Sequence, residues 1–498
     1  MRHDAGSFFR REAGRQRYDG GLAHTDPAMR TLLRLTALAA LLGSGIANAD
    51  EGRASFRALF EELVETNTTL SAGSCTEAAQ RMARHLREAG LAEQDLQIVT
   101  VPDHPREGNL VARLRGSAPG LAPMLLLAHI DVVEARREDW QRDPFTLVEE
   151  NGYFYARGVA DDKAMASIWV DSMLRALRGE FRPRREIRLA LTCGEETNGA
   201  FNGAQYLVNE RKALIDAAFA LNEGAWGILD EKGRRVMMSV QAGEKASQNY
   251  RLEVTNPGGH SSRPVKENAI YRLSKATLAV AAHEFPVQLN DTTRVYFTRM
   301  SEILGGETGD AMRALVADPA DTRAVATVTA DPSWNAMLRT TCVATTLEAG
   351  HATNALPQRA RANVNCRIYP GSTPEDVRRE LERVIADPAV AVSTLELRGP
   401  VAKAPPLSPA IMGPVESVAA KIYPGVPVVP VFLAGATDGQ FLNAAGIPTY
   451  GIGGIFFDKD LGGVHGLDER LRVESLYAGR DYLFELVKQL ADSPDPVP

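Results

Sequence analysis

The segment Met-Leu-Leu-Leu-Ala-His-Ile-Asp, residues 124–131, is an apolar run that ends in polar side chains. An uninterrupted apolar run of this kind is typical of a strand buried on both faces, as in a parallel sheet covered by helices. Similar short runs at 187–192, 217–221 and 428–433 also end in polar residues, and helix-like stretches such as 164–177 lie between them. This alternation predicts an α/β fold with a mostly parallel central sheet flanked by helices.

The pattern changes between residues 245 and 398. Polar and apolar residues alternate there as in half-buried strands, while other stretches have helical spacing. The predicted strands are 247–254, 338–346 and 361–368, and the predicted helices are 268–282 and 374–385. We therefore expect an inserted α+β domain over 245–398, which divides the first domain into residues 50–244 and 399–498.

Residues 1–49 are expected to be a removable leader. A basic start at 29–34 precedes the apolar run 35–42, and Ala47-Asn48-Ala49 has the small residues typical of a signal-peptide cleavage site. The apolar run is shorter than the roughly 20 residues of a membrane span, so we expect no stable membrane anchor. With translation starting at Met29 and cleavage after Ala49, the protein would be periplasmic or secreted, where disulfides can form.

The composition excludes several classes of protein. The chain has 498 residues, of which 44% are hydrophobic and 24% are charged, as in ordinary globular proteins. Collagen, a coiled coil and wholesale disorder are therefore excluded. Acidic residues outnumber Lys and Arg by 63 to 56, and the basic residues are scattered along the chain. Because binding to a phosphate backbone requires a basic face, we expect no nucleic-acid partner.

Acidic residues and histidines follow the predicted strands or lie in glycine-rich loops. These motifs are His129-Ile130-Asp131, Arg157-Gly158-Val159-Ala160-Asp161-Asp162-Lys163, Glu195-Glu196, Asn222-Glu223-Gly224 and Gly462-Gly463-Val464-His465-Gly466. A turn, a helix cap or a solvated loop would account for each motif by itself. The carboxyl ends of parallel strands share one edge of a sheet, however, so several motifs are expected to converge there. Histidines and carboxylates together are typical ligands of zinc and similar divalent ions.

The order and spacing of these motifs resemble the co-catalytic zinc metallopeptidases, the family that includes aminoacylase, glutamate carboxypeptidase, carboxypeptidase S and acetylornithine deacetylase. The intervals are 32 residues from His129 to Asp161, 35 from Asp161 to Glu196 and 27 from Glu196 to Glu223. The resemblance covers about residues 55–490 and is strongest to the carboxypeptidase S branch. It implies a zinc-peptidase catalytic domain, an inserted lid and dimerisation domain, and a homodimer formed through that lid.

The resemblance also implies a ligand set for two divalent metal ions, with zinc as the expected metal. His129 and Glu223 would bind one ion, and Glu196 and His465 would bind the other. Asp161 would bridge the two ions.

The remaining residues assigned by the resemblance act on the substrate or on the ligands. Glu195 would be the general base, and Asp131 would orient His129 through its second ring nitrogen. His260, in the motif Gly258-Gly259-His260-Ser261-Ser262, would polarise the scissile carbonyl, often across a dimer interface. Asn354 and Arg367 would bind substrate, because Arg is suited to bidentate capture of a terminal carboxylate.

The expected activity is hydrolysis of amide bonds in small peptides that end in a free carboxylate, as a carboxypeptidase or dipeptidase. A metal-activated water would attack the amide, with Glu195 as its general base. One alternative within the same class is an N-acyl amino acid deacylase of the aminoacylase type. An alternative of another class is a non-catalytic periplasmic peptide-binding protein, although the complete ligand set with Glu195 argues against it.

The four cysteines leave two alternatives open. Cys342 and Cys366 lie on predicted strands, each 12 residues from Asn354, and would face each other if the strands form a hairpin. Free buried thiols are the alternative. Cys193 is expected to be a small core residue, and the sequence assigns no role to Cys75.

Overall fold

The computed structural model describes residues 51–197, 201–395 and 399–494. The predicted leader and its cleavage site lie outside the described residues, as does the predicted lid boundary at residue 398. Residues from 56 onward belong to one compact unit. No helix in the described part of the chain is long and apolar enough to cross a membrane.

A large sheet, mostly parallel at its centre, forms the middle of this unit. Its strands are β1 (Leu96–Val101), β2 (His104–Leu114), β3 (Met124–His129), β6 (Ile187–Thr192), β7 (Phe219–Asn222), β8 (Gly227–Leu229), β9 (Arg235–Glu244), β16 (Val428–Leu433), β17 (Thr449–Ile452) and β18 (Phe456–Phe457). The order is β1-β2-β6-β3-β7-β17-β9-β8-β18, and β16 also pairs with β9. The neighbours β6, β3, β7 and β17 are parallel. Every residue of β3 is buried, as its apolar run predicts.

Helices cover both faces of this sheet. They are α1, which ends at residue 65, α2 (Cys75–Glu88), α3 (Lys163–Leu177), α4 (Gly203–Glu210), α5 (Lys212–Ile215), α12 (Pro409–Ile422), α13 (Gly439–Ala444) and α14 (Val473–Asp492). Leu126 of β3 belongs to the core cluster that contains Trp169 of α3. Its neighbours Leu125 and Leu127 belong to a second cluster with Leu207 of α4. The alternating side chains of one buried strand therefore fill two separate helix–sheet cores.

A buried ion pair joins two of these helices. Arg480 of α14 donates from Nε to Oδ2 of Asp171 in α3 at 2.8 Å. Both side chains are buried. Loss of one partner of such a pair leaves the other charge without compensation in the core, at a cost of about 3–5 kcal/mol.

A small three-stranded sheet places the last glycine-rich loop beside the loop that carries Asp161. Its strands are β4 (Val148–Glu150), β5 (Tyr153–Tyr155) and β19 (Arg470–Arg472), in the order β19-β5-β4. Arg470 pairs with Tyr155. This pairing brings the chain that follows His465 next to the chain that leads to Asp161.

The insertion contains a second, antiparallel sheet with its own core. Its strands are β10 (Ala246–Thr255), β12 (Thr341–Ala349), β14 (Arg359–Ile368) and β15 (Ala391–Thr394), in the order β12-β14-β10-β15. The helices α6 (Ala269–Ala282) and α11 (Pro374–Ile385) share a core cluster with β10 and β14. A separate ribbon pairs β11 (Gly259–His260) with β13 (Ala355–Leu356). The insertion has the expected α+β character, and its domain boundaries stay a prediction.

Part of the insertion packs differently from the rest. Residues 291–337, to which the sequence analysis assigned no structure, form four helices together with Leu338, where the predicted strand 338–346 was expected to begin: α7 (Asp291–Leu304), α8 (Gly306–Ala317), α9 (Thr322–Thr329) and α10 (Pro332–Leu338). Their core cluster includes Val429 and Phe432 of β16. These helices therefore share a core with the large sheet.

Lys245 occupies the junction between the two sheets, directly after β9 and before β10. Its ammonium is buried and donates to the main-chain oxygens of Ala336 and Arg339, each at 2.9 Å, and to Oγ1 of Thr341 at 3.1 Å. Burial lowers the pKa of Lys245 to about 7. The Lys245 side chain thus connects the start of the insertion to the segment between α10 and β12.

All four cysteines are paired in disulfides. Cys342 and Cys366 lie opposite each other on β12 and β14 and are bonded, which settles the open alternative. Cys193 is a buried core residue, as expected, but it is also bonded to Cys75 at the start of α2, which the sequence analysis did not predict. These two residues are 118 positions apart in the chain, so no local pattern relates them.

Candidate metal centre

The predicted metal-binding motifs converge at one edge of the large sheet. His129 is the last residue of β3, Glu195 and Glu196 follow β6, and Glu223 follows β7. These three strands are parallel neighbours, so their carboxyl ends lie side by side. The convergence expected from the sequence is therefore present.

His129 is buried, and its hydrogen bonds fix the tautomer of its ring. Nδ1 lies 3.0 Å from the main-chain oxygen of Asp131, which can only accept, so Nδ1 donates. Nε2 faces the carboxylate of Asp161 at 3.0 Å. Burial lowers the pKa of His129, but its bonds to Asp131 and Asp161 outweigh burial and raise that pKa well above its usual value. A cation at Nε2 would satisfy the carboxylate in the same way as a proton.

His465, Asp161 and Glu196 form a group that could hold a divalent ion. Nε2 of His465 lies 2.8 Å from Oε1 of Glu196 and 3.2 Å from Oδ2 of Asp161. Ligand atoms of all three residues lie within 4.8 Å of one another. The bonds to Asp161 and Glu196 raise the pKa of His465 to about 10. The side chain of His465 is 53% exposed, so this group is open to solvent.

A second group shares a residue with the first. Ligand atoms of His129, Glu195 and Glu196 also lie within 4.8 Å of one another. Asp161 contacts both histidines, which is the position expected of a bridging carboxylate. Among the described residues Glu223 is in neither group, whereas Glu195, the expected base, is in one. Burial and the charges of Glu195 and Asp161 raise the pKa of Glu223 well above its usual value, so Glu223 lies in the field of the same cluster.

Asp131 contacts the second ring nitrogen of His129 and also has a role that the sequence analysis did not expect. Its Oδ1 is 3.6 Å from Nδ1 of His129, and the main-chain oxygen of Asp131 is the closer partner of that nitrogen. The carboxylate also accepts the main-chain N–H groups of Glu195, at 3.3 Å, and Glu196, at 3.0 Å. Asp131 therefore fixes the backbone that carries these two glutamates.

Asp438, to which the sequence analysis assigned no role, holds both ends of the same segment. Its Oδ2 accepts the hydroxyl of Thr192 at 2.7 Å, and its Oδ1 accepts the amide of Asn202 at 2.8 Å. Thr192 ends β6 and Asn202 is the N-cap of α4. The chain between them carries Glu195 and Glu196, so the carboxylate of Asp438 restrains the position of both.

Glu469 is a second buried residue that the sequence analysis missed. Its carboxylate accepts from Nη1 of Arg157 at 2.6 Å and from the main-chain N–H groups of Gly158, Ala160 and Asp161 at 2.9 to 3.1 Å. Arg157 and Glu469 are 312 positions apart. Arg157 belongs to the motif that contains Asp161, but no local signal marks Glu469, and the pairing of β19 with β5 brings the two together.

The chemistry of the donor set fits divalent cations. The carboxyls of Asp162, Glu195 and Glu223 have pKa values raised well above their usual range by burial and by the neighbouring acidic groups. Oδ2 of Asp162 is buried without a hydrogen-bond partner within the described residues. Buried carboxylates are stabilised by pairing with cations, and imidazole with carboxylate is a ligand set that zinc accepts. These residues can therefore hold two adjacent divalent ions.

The expected substrate residues of the insertion lie on or beside the ribbon β11–β13 and on strand β14. The ribbon β11–β13 brings His260 near Asn354, because the N–H of Ser261 donates to the Asn354 main-chain oxygen at 3.0 Å. Nδ1 of His260 accepts the N–H of Ser262 at 3.1 Å, so the neutral ring carries its proton on Nε2. Both His260 and Asn354 are exposed, and no hydrogen bond described for them reaches the metal-binding groups. Arg367 is half-buried on β14, opposite Thr341 of β12.

Residues 125–489 match peptidase family M20/M25/M40. The chain is 29% identical over 393 residues to the N-fatty-acyl-amino acid synthase/hydrolase PM20D1 of Homo sapiens, covering 77% of each protein. It is 28% identical over 393 residues to the probable carboxypeptidase S-like 2 of Dictyostelium discoideum, covering 76% of this chain and 74% of that protein. An M20 family metallo-carboxypeptidase of Sulfolobus solfataricus has a similar fold, with a TM-score of 0.65 and 19% identity over 88% of this chain and 99% of that chain.

We expect the metal-free protein to lose stability as the pH rises from about 5 to about 7, because above that range the lowered pKa of buried Lys245 opposes the trend. Glu195 and Glu223 have raised pKa values, and that of His465 is about 10, so the folded state keeps protons that the unfolded chain releases. Asp161 has a lowered pKa and contributes only at lower pH. Urea unfolding of chelator-treated protein across this range measures the trend.

The same series in the presence of zinc is the control. Metal ions replace the protons and bind deprotonated ligands, so the stability gained on adding zinc is expected to grow as the pH rises. A metal-free protein whose free energy of unfolding is constant or rises over this pH range would contradict the electrostatic description of the site.

Proposed function

The chain belongs to peptidase family M20/M25/M40, and on that premise we propose that it is a secreted zinc-dependent hydrolase of small peptides with a free C-terminal carboxylate. The enzyme class, a metallopeptidase or amidohydrolase, follows from the family. One observation carries the proposal. Two groups of histidines and carboxylates share Glu196 at the carboxyl edge of the sheet, and one of them contains Glu195. The action would be that of a carboxypeptidase or dipeptidase.

The proposed ligands are the five residues that the motifs indicate. We assign His129 and Glu223 to one ion, Glu196 and His465 to the other, and Asp161 to both. The contacts of Asp161 with both histidines support the bridging position. When bound, two such ions lower the pKa of water and polarise a carbonyl oxygen of the substrate.

Glu195 is proposed to move the proton. Its side chain is partly exposed, so it is accessible to substrate, and its backbone is held by Asp131. Burial raises the pKa of its carboxyl well above the usual value, which makes the carboxylate a stronger proton acceptor. Glu195 would accept a proton from the attacking water and return it to the leaving nitrogen.

Glu195→Gln is expected to lower kcat by about 10²- to 10⁴-fold, because an amide cannot accept the proton. The backbone contact with Asp131 does not involve the Glu195 side chain, so the fold should be retained. Peptide hydrolysis and bound zinc are measured on the same preparation.

Glu196→Gln is the matched control. It changes the neighbouring glutamate, which faces His465 at 2.8 Å, and should lose bound zinc together with activity. Near wild-type turnover of the Glu195→Gln enzyme with its zinc retained would remove Glu195 from the role of base.

The sheet face that carries Arg367 supports a polar substrate. Oδ1 of Asn249 accepts the side-chain amides of Asn363 and Asn365, each at 3.0 Å, and Asn365 also donates to Ser247. These polar residues alternate along β10 and β14 with the buried residues that pack against α6 and α11. They therefore lie together on the face of this sheet that points away from those helices. A row of amides beside a guanidinium is suited to peptide groups and a terminal carboxylate.

A deacylase is the second candidate function. The human relative at 29% identity is named an N-fatty-acyl-amino acid synthase/hydrolase, and an N-acyl amino acid also ends in a carboxylate. The amide row beside Arg367 favours the peptide over a long acyl chain. A non-catalytic binding protein is disfavoured, because the chain belongs to a peptidase family and retains Glu195.

Arg367→Ala is expected to lower kcat/KM on dipeptides by roughly 10- to 100-fold, since a hydrogen bond to a charged group contributes about 1.5–3 kcal/mol. Peptides with an amidated C-terminus should be poor substrates of both enzymes and show little further loss. A panel of dipeptides, N-acetyl amino acids and long-chain N-acyl amino acids compares the two candidate functions.

Arg361→Ala is the control for this experiment, because Arg361 lies on the same strand and is paired with Glu253 at 2.7 Å. It should leave the discrimination between free and amidated peptides intact. Equal losses on both peptide forms in the Arg367→Ala enzyme would contradict carboxylate binding, and a strong preference for long acyl chains would favour the deacylase.

We further propose a homodimer formed through the insertion, with His260 acting in the partner's site. β12 is the edge of its sheet, and its Val343 and Leu347 are exposed, as are Tyr271 and Leu278 of α6. An unpaired edge strand beside exposed apolar side chains is suited to pairing with a second copy. His260 is exposed in the chain and offers an Nε2 donor that has no described contact with its own metal-binding groups.

Leu347→Glu should therefore sediment as a monomer and hydrolyse peptides with a reduced kcat. Leu304→Glu, which changes an exposed leucine on α7, should do neither.

Mixing inactive His260→Ala and Glu195→Gln subunits should restore up to about a quarter of the wild-type activity, since a mixed dimer contains one intact site. A Leu347→Glu enzyme that keeps the sedimentation coefficient of the wild type would contradict this interface.

The proposal of secretion has support from the disulfides. Both bonds, Cys75–Cys193 and Cys342–Cys366, require an oxidising compartment, in agreement with the signal-like segment before Ala49. N-terminal sequencing of the exported protein should begin at Asp50. A mature protein that retains residues 29–49 would contradict cleavage.

A further inference from the structure

Glu469 is completely buried and is bonded entirely to the loop that carries Asp161. One carboxylate oxygen accepts from Arg157 and from the N–H of Gly158, and the other accepts from the N–H groups of Ala160 and Asp161. Three main-chain donors of that loop are therefore anchored to a single side chain. The last of these donors belongs to the residue proposed to bridge the two ions.

The partner of Glu469 is itself held on two further sides. Nη2 of Arg157 donates to the main-chain oxygen of Gly466 at 2.7 Å, and its guanidinium lies 5.0 Å from the ring centroid of Trp140. Gly466 directly follows His465. The Arg157–Glu469 pair therefore connects the chain at Asp161 with the chain at His465 through two independent contacts.

The distance between the two proposed ligands depends on this connection. Nε2 of His465 and Oδ2 of Asp161 are 3.2 Å apart, although the two residues come from different ends of the chain. The His465 side chain is more than half exposed, and its described contacts are those with Asp161 and Glu196. The loop that holds it is bound to Arg157 through the main-chain oxygen of Gly466, and Asp460 accepts the N–H groups of Gly462 and Gly463 on its other side.

We propose that Glu469 is a positioning residue, which holds Asp161 and His465 at the separation that a shared divalent ion requires. This inference rests on the proposed metal centre. Glu469 itself would not bind the ion, because both of its oxygens are occupied by donors. Groups that orient metal ligands typically change metal affinity about 10- to 100-fold when they are removed.

The carboxylate is specifically suited to this arrangement. Its two oxygens each accept two hydrogen bonds, and all four partners are donors. A glutamine would place an NH₂ group against two of these donors, at Arg157 and Gly158 or at Ala160 and Asp161. Glu469→Gln therefore changes the loop without changing the volume of the side chain.

The experiment compares zinc affinity in Glu469→Gln with that in Asp171→Asn. Asp171 is also buried and paired with an arginine, Arg480, but that pair joins α3 to α14 and contacts neither ligand. Both variants are expected to unfold at lower urea concentration. Competition with a chromophoric chelator should show roughly 10- to 100-fold weaker zinc binding at the site that Asp161 shares with His465, and only in Glu469→Gln.

Unchanged zinc affinity in Glu469→Gln, or an equal loss in Asp171→Asn, would overturn the inference and leave Glu469 with a purely structural role. Should Glu469→Gln not fold, Arg157→Lys keeps the positive charge but cannot donate to Glu469 and Gly466 in the same fork, and weaker zinc binding is again expected. The wild-type protein measured alongside separates the two proposals. Two tightly bound ions without peptide hydrolysis would contradict the proposed function alone.

Discussion

Mutual repulsion among buried carboxylates is the constraint on which the rest of this molecule depends. Glu195, Glu196 and Glu223 follow neighbouring parallel strands, and Asp161 lies in the loop before α3; within the described residues two histidines, His129 and His465, contact this cluster. Two like charges 4 Å apart repel by about 4 kcal/mol at the effective dielectric of a protein surface. Such a cluster persists only if positive charge compensates it and if the backbone around it cannot relax.

The backbone is held by acidic groups that do not themselves face the ions. Asp131 accepts the N–H groups of Glu195 and Glu196, Asp438 fixes the ends of that same segment, and Glu469 binds the loop of Asp161. Each uses a carboxylate to collect donors, which would otherwise be buried without partners. The site therefore contains two sets of carboxylates: the proposed metal ligands, and the surrounding carboxylates that hold the backbone of those ligands.

The sequence predicts those parts of the structure that depend on local patterns. The apolar run of 124–128 became β3, and the helix expected at 164–177 begins one residue earlier, at Lys163. His129, Glu195, Glu196 and Glu223 converged because parallel strands leave them at one edge. The pairing of β5 with β19, which was not predicted, brings Asp161 and His465 together. Glu469, the Cys75–Cys193 bond and the helices of 291–338 were not predicted. Each depends on a contact between distant segments or on packing against β16, and no periodicity within one stretch encodes that.

The cross-strand disulfide has a consequence for how the edge of the second sheet behaves. An exposed edge strand offers unpaired backbone groups to any passing chain and is a common starting point for strand exchange and aggregation. The bond from Cys342 to Cys366 fastens β12 to β14 near the first residue of the strand, so β12 cannot leave its own sheet entirely. The exposed edge of β12 can still pair with another strand, but β12 keeps one register against β14. The covalent link therefore excludes swapped and slipped pairings between these two strands.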